Sequence, residues 1–181
     1  MPLTDYDLRK EEVIDGVVYD MSPSAGYQHS LINGNIYAKL RVSMKGSLCI
    51  PFIENLDYHY DNKNYVIPDV IIVCDRKELK GVGYYGTPKF IVETLSPGTA
   101  TRDRTTKMEI YERCGVSEYW IVSPKEKALE IYYLEDGHYV LQKAYILEEN
   151  EESKHYNAKE EITLREFPVT MLLEEIFEGL E

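Results

Sequence analysis

The 181-residue sequence is poor in cysteine: it has three, Cys49, Cys74 and Cys114, and no two form a CxxC pair. Nothing therefore suggests a structural zinc site. Each lies among apolar neighbours, as a small core residue does. No run approaches the ~20 apolar residues of a membrane span. The polar, charged start at 1–10 lacks the apolar segment that follows in a signal peptide. A cytoplasmic protein with reduced thiols is the expectation. Internal repeats and low-complexity tracts are also missing. Positive charge is scarce, with 20 Lys and Arg against 32 Asp and Glu, a net of −12. That balance argues against a general nucleic-acid coat protein.

The deficit is uneven. Residues 1–125 are nearly neutral at −2, whereas residues 126–181 carry −10. A DNA-facing surface is compatible with the first part, although no basic patch is evident there. The length fits one domain over 1–181, with a core at about 12–147 and an acidic C-terminal extension at 148–181. Tyrosine is abundant, with 16 copies. It suits half-buried strands, where the ring packs and the hydroxyl reaches water.

Residues 12–21 read as a hairpin around the turn pair Asp15-Gly16, and 22–26 as a loop. Ile32, Ile36 and Leu40 recur at four-residue spacing, which predicts a helix over 27–44. Strands are expected at 47–60, 65–74 and 89–95, with a turn at 61–64 and a loop at 75–87. Ser96-Pro97-Gly98 breaks the last strand. A helix then runs from about Thr101 to Cys114 and stops at Gly115. Strands at 118–122, 127–134 and 137–147 follow, the last two joined by Glu135-Asp136-Gly137. The acidic 148–161 segment reads as a loop, and 169–180 as a short helix. The whole is an α/β (α+β) fold, with helices packed on a sheet. Strand 89–95, helix 101–114 and strand 118–122 should form a parallel, right-handed crossover unit.

Three charged residues fall where charge is costly. Asp69 interrupts the apolar run 66–73, and strand alternation places it with Ile67, Ile71 and Val73. Glu93 interrupts 90–95 on the face of Ile91 and Leu95. On the helix from Thr101, Asp103, Lys107, Ile110, Tyr111 and Cys114 cluster within about 100° of arc. Lys107 thus shares the stripe that faces the sheet. Two close carboxylates repel unless a divalent cation joins them, and hard oxygen ligands suit Mg²⁺ or Mn²⁺. A nearby lysine can stabilise a phosphorane or position the attacking water. The competing reading is structural, since a lone buried acid paired with a lysine often serves only the fold.

Pro68-Asp69, Val92-Glu93-Thr94-Leu95-Ser96-Pro97, Asp103 with Lys107 and Tyr111, and Gly115-Val116-Ser117-Glu118-Tyr119-Trp120 occur in this order. Ile14-Asp15-Gly16 and Met21-Ser22-Pro23 followed by His29 precede them. Together they resemble the Uma-type putative restriction endonuclease family, from about Glu12 to Pro124 and more weakly to the end. The resemblance implies membership of the PD-(D/E)XK nuclease superfamily. It implies a restriction-endonuclease-like core, a mixed central sheet flanked by helices, with N-terminal and C-terminal hairpins. Asp69 would be the first acid, Glu93 the second, and Thr94 would offer its backbone carbonyl to the metal. One position departs from the pattern: Leu95 stands two after Glu93, where the superfamily has lysine. Lys107, one helix later, would supply the missing cation.

Supporting residues carry two readings each. His29 lies on the stripe of Ile32, Ile36 and Leu40, and serves either the site or a local first-turn hydrogen bond. Glu12 is a peripheral acid of the site or a solvated strand start. Asp103 favours the helix macrodipole or pairs with Lys107 at i,i+4. Tyr111 and Trp120 read as core. The expected activity is metal-dependent hydrolysis of DNA phosphodiesters. A non-catalytic binding module on a nuclease scaffold and a hydrolase of another phosphoester stand as alternatives. No membrane and no dinucleotide cofactor are called for. A homodimer suits a substrate with two strands to cut, and exposed strand edges invite pairing.

Overall fold

The computed structural model describes residues 11–21 and 26–180. The charged start at 1–10 and most of the expected 22–26 loop, with Ser22-Pro23, lie outside the described residues. In chain order the strands begin with β1 (Glu11–Ile14) and β2 (Val17–Asp20), followed by helix α1 (Tyr27–Ser43). Next come β3 (Ile50–Ile53), β4 (Asp57–His59), β5 (Tyr65–Val66), β6 (Val70–Val73), β7 (Leu79–Lys80), β8 (Gly83–Tyr84) and β9 (Phe90–Thr94). Helix α2 is continuous in three parts: Ala100–Arg102, a π-helical turn Asp103–Lys107, and Met108–Arg113. Strands β10 (Glu118–Ser123), β11 (Ala128–Glu135), β12 (His138–Ile146), β13 (Glu161–Thr163) and β14 (Thr170–Leu172) lead to α3 (Leu173–Ile176).

Two six-stranded sheets result, ordered β2-β1-β5-β4-β8-β7 and β12-β11-β10-β9-β6-β3. The second is mixed: β9 and β10 run parallel, and its other pairs are antiparallel. A parallel pair needs a crossover, and α2 supplies it. Alternation sorts the strand residues between two cores. Val70, Ile72, Phe90, Val92, Trp120 and Val122 pack with Ile32, Ile36 and Leu40 of α1. Ile71, Val73, Ile91, Tyr119 and Ile121 pack with Ile110 and Tyr111 of α2. Helices thus cover both faces of the mixed sheet.

The turns follow the local chemistry. Asp15 and Gly16 both take positive φ, 50° and 78°, as a two-residue hairpin demands. Gly115 ends α2 at φ 81°. Several expectations need correction. The strands expected at 47–60 and 65–74 are each broken, and their halves join different sheets. Glu54 turns the first at φ 52°. Pro68 stops the second, because it has no N–H for the ladder. Asp69 therefore sits just before β6, not inside a continuous strand. The freed backbone is satisfied: Ile67 N–H donates to Glu12 Oε1 at 3.0 Å, and Glu54 N–H donates to the Asp69 carbonyl at 2.9 Å. The expected 75–87 loop contains a 3₁₀ turn at Arg76–Glu78 and the β7–β8 hairpin.

The core also runs past residue 147. Ile162, Leu164, Val169, Met171, Leu173, Ile176, Phe177 and Leu180 are buried in the cluster on the α1 face. The acidic segment is not an appendage, because its apolar residues close that core. The expectation of three reduced thiols fails as well. Cys49 and Cys74 form a disulfide, and only Cys114 is a free thiol. The β3–β6 pairing of Ile50 with Val73 brings the two cysteines together at the end of the ladder. No helix among the described residues is long and apolar enough to cross a membrane.

Candidate active site

The break at Pro68 and the sheet-facing stripe of α2 bring three acids around one lysine, with Asp69 beside them. Lys107 Nζ lies 2.7 Å from Glu12 Oε1, 3.1 Å from Glu93 Oε1 and 3.7 Å from Asp103 Oδ1. The lysine is 2% exposed, Glu93 2%, and Glu12 and Asp103 1% each. Tyr111 donates its hydroxyl to Glu93 Oε1 at 2.6 Å. Asp69 enters from the opposite strand: its Oδ2 accepts from the Thr94 N–H at 2.7 Å, one residue beyond Glu93. The π-helical turn carries both Asp103 and Lys107, a local irregularity that recurs at functional sites.

Burial dominates the electrostatics. It pushes the Glu93 carboxyl well above the usual range; Lys107 opposes this, while Asp69, Asp103 and Glu12 add to it. Burial likewise raises Asp103 against the pull of Lys107. For Lys107, burial is the largest influence and lowers the pKa. Glu93, Glu12 and Asp103 together outweigh it, so the ammonium is held above its ordinary value. Tyr111 is pushed well up by burial and by Glu93.

A second chain of bonds reaches the site from α1. His29 Nε2 lies 3.1 Å from Asp69 Oδ2, and its Nδ1 lies 3.1 Å from Asn33 Nδ2. With Nδ1 accepting from Asn33, the ring proton sits on Nε2 and points at Asp69. Asn33 also donates to Glu54 Oε1 at 2.9 Å and accepts from Thr94 Oγ1 at 2.6 Å. Burial is the largest influence on His29 and lowers its pKa, yet Asp69, with Glu54 and Asp103, leaves it raised overall.

These contacts sort the open readings. His29 makes both its local first-turn bond and a contact with Asp69. Glu12 is buried against Lys107, not a solvated strand start. Asp103 is buried and faces Lys107, so it is no surface acid at a helix end. Tyr111 and Trp120 are core, and each also bonds a buried glutamate, Glu93 and Glu118 respectively. The side chain of Leu95, in the position where a lysine was missing, lines a cleft of about 500 Å³ with His29, Ser96, Pro97 and Ser123. Sequence reasoning overlooked Asn33, Glu54 and Arg102. Asn33 carried a signal, since it lies four residues after His29 on a helix whose other inward positions are apolar.

Among the described residues, no three His, Cys, Asp or Glu side chains are spaced to hold a metal ion. Mg²⁺ needs fewer, because it is commonly held by one or two carboxylates with waters and substrate oxygens. Asp69 Oδ1 and Glu93 Oε2 make no hydrogen bond among the described residues. Asp103 Oδ1 is buried without a hydrogen-bond partner. The donors are hard oxygens and the local charge is in negative excess, so the residues fit a divalent cation.

Residues 1–168 match the family described as Uma2, putative restriction endonuclease. The chain is 25% identical over 174 residues to the uncharacterized protein slr1290 of Synechocystis sp., covering 94% of this chain and 85% of that one. A crystal structure of a putative nuclease of DUF820 from Anabaena variabilis matches with a TM-score of 0.69. That match spans 94% of this chain and 91% of the other at 15% identity, and so speaks to the fold.

Proposed function

Because the chain belongs to the Uma2 family of putative restriction endonucleases, we propose that it is a divalent-metal-dependent endonuclease hydrolysing DNA phosphodiester bonds at Asp69 and Glu93. The observation that carries this reading is the convergence of Asp69, Glu93 and Lys107 at the ends of β6, β9 and the π-helical turn. Asp69, Glu93 and the Thr94 carbonyl would hold Mg²⁺ or Mn²⁺. Such an ion supplies Lewis acidity at the phosphoryl oxygens and lowers the pKa of water. Glu93 is held in place by Tyr111 and Lys107. Asp69 is fixed by the Thr94 N–H and by His29. Lys107 opposes the upward push of burial on the Glu93 and Asp103 carboxyls. His29, with its proton on Nε2 donated to Asp69, orients that carboxylate.

The test is cleavage of plasmid and oligonucleotide DNA with Mg²⁺ or Mn²⁺, beside Asp69→Asn and Glu93→Gln. Wild-type cleavage that both variants lose supports the reading. Equal cleavage by wild type and variants assigns the activity elsewhere. One observation favours a second reading, a nuclease scaffold that binds without cutting: Lys107 is enclosed by three carboxylates, and Leu95 offers no charge in its stead. Calorimetry that detects no Glu93-dependent binding of Mn²⁺ would favour it.

A further inference from the structure

We infer that Arg102, not Lys107, is the cation that grips the phosphodiester of the substrate. This rests on the reading of the site as a nuclease centre. Beside the divalent ion, a side-chain cation that faces outward would offset the repulsion of an anionic substrate by Glu12, Asp69, Glu93 and Asp103. Lys107 cannot be that cation. Its ammonium is buried, and its three N–H groups face three carboxylates. Moving it onto a phosphate would strand Glu12 and Glu93 as unpaired buried acids.

Arg102 sits one residue before the π-helical turn, and its side chain is 24% exposed. Its guanidinium carbon lies 4.0 Å from the centre of the Tyr19 ring. Nη1 reaches Glu12 Oε2 only at 3.6 Å, too far for a good hydrogen bond. Its fork of N–H donors makes no hydrogen bond among the described residues. Tyr19 stands directly opposite Glu12 in the β1–β2 ladder. The same hairpin therefore supplies the inner acid and the ring against which the guanidinium rests. A cation–π contact holds the guanidinium without using its N–H donors, which can then bind a phosphate through two parallel N–H bonds.

Three other arginines are committed to partners of their own. Arg104 is bidentate to Glu130 at 2.8 Å on both nitrogens. Arg76 holds the Ser47 and Leu48 carbonyls, and Arg165 holds the Leu134 carbonyl. Arg102 combines partial exposure, free donors and proximity to the acids.

The test is binding of a fluorescein-labelled DNA duplex by anisotropy across a salt series. The parent is the wild-type protein with Ca²⁺ in place of Mg²⁺, so that Asp69 and Glu93 keep an ion and the probe stays intact. Arg102→Gln should raise Kd about ten-fold, the size of one charge-assisted hydrogen bond. It should also lower the slope of log Kd against log salt by about 0.9, one phosphate contact. Arg102→Lys should keep the slope and show an intermediate Kd, because it retains charge but not the fork. A merely structural role would lower the melting temperature and leave the slope unmoved. An unchanged Kd and slope in Arg102→Gln, with the parent still binding DNA, overturns the Arg102 assignment and leaves the nuclease reading standing. A parent protein that binds no duplex overturns the DNA reading and the assignment with it.

Discussion

Replacing Lys107 by methionine keeps most of the side-chain length and deletes the ammonium. Glu12, Glu93 and Asp103 are then left buried, with no cation at 2.7, 3.1 and 3.7 Å. Breaking a buried ion pair by removing one partner costs about 3–5 kcal/mol, because the surviving charge stays desolvated. For a chain of 181 residues, at roughly 2–4 °C per kcal/mol, the melting temperature should fall by about 10 °C. The loss should depend on pH in one direction. Burial already raises the Glu93 and Asp103 carboxyls, and Lys107 is the influence that lowers them. Without it their folded pKa values rise further, so the folded variant binds protons that the unfolded chain has released. Stability then falls as pH rises above the ordinary carboxylate pKa. Lys107 itself is raised, so the stability it lends wild type is fully present at neutral pH and is lost only in strong alkali. Urea denaturation of both proteins at a series of pH values from about 4 to 8 reads this directly. The deficit should be smallest at the acid end and grow toward neutrality. A variant as stable as wild type at neutral pH, or one whose deficit grows toward acid, would refute the view of Lys107 as the counter-ion of a buried acidic cluster.

Glu118, buried where Trp120 Nε1 and the Arg165 N–H reach it, has its carboxyl pushed up to about 7 from 4.5, mainly by burial. Its folded state holds the proton longer, so wild-type stability should decline by about 3 kcal/mol between those pH values. Glu118→Gln should flatten that decline, and an unaltered slope would remove Glu118 as its source. Reduction of Cys49–Cys74, which closes a 25-residue separation, should lower unfolding free energy by about 3 kcal/mol; a denaturation midpoint indifferent to reducing agent would contradict the bond's contribution. Saturating Mn²⁺ at a hundred-fold over Kd should stabilise wild type by about 2.7 kcal/mol. Asp69→Asn and Glu93→Gln should abolish that gain, and a melting temperature that Mn²⁺ does not move in wild type would exclude the ion from the site.

Local chemistry made much of the scaffold legible. Asp15-Gly16 marked the hairpin, the Ile32–Ile36–Leu40 stripe marked α1, and Gly115 marked the end of α2. The wheel that put Lys107 among Ile110 and Tyr111 pointed it at the sheet, where it meets Glu93. Less visible was any feature that depends on pairs far apart in the chain. The run 65–74 looks continuous by hydrophobicity, yet Pro68 splits it between sheets. Cys49 and Cys74 become neighbours only through β3–β6 pairing. Glu12 read equally as a peripheral acid and as a solvated strand start, and only the approach of Lys107 and Arg102 to its carboxylate decides between them. Nothing local marks Arg102, whose ring partner Tyr19 lies 83 positions earlier in the chain.

The sequence by itself marked the first hairpin, α1, α2 and the strands of the mixed sheet, because periodicity, turn residues and breakers act over a few residues; it left β7 and β8 in an expected loop and β14 in an expected helix. It also singled out Asp69, Glu93 and Lys107, since a charge inside an apolar run is costly wherever the run packs. The tertiary structure alone decided what those charges face. Ion pairing depends on ångström distances between residues far apart in the chain, 95 positions for Glu12 and Lys107, and no local pattern encodes that distance. So the enclosure of the lysine by three acids, the tether of Asp69 to His29, and the free guanidinium at the rim emerge only when the sheets and α2 pack together.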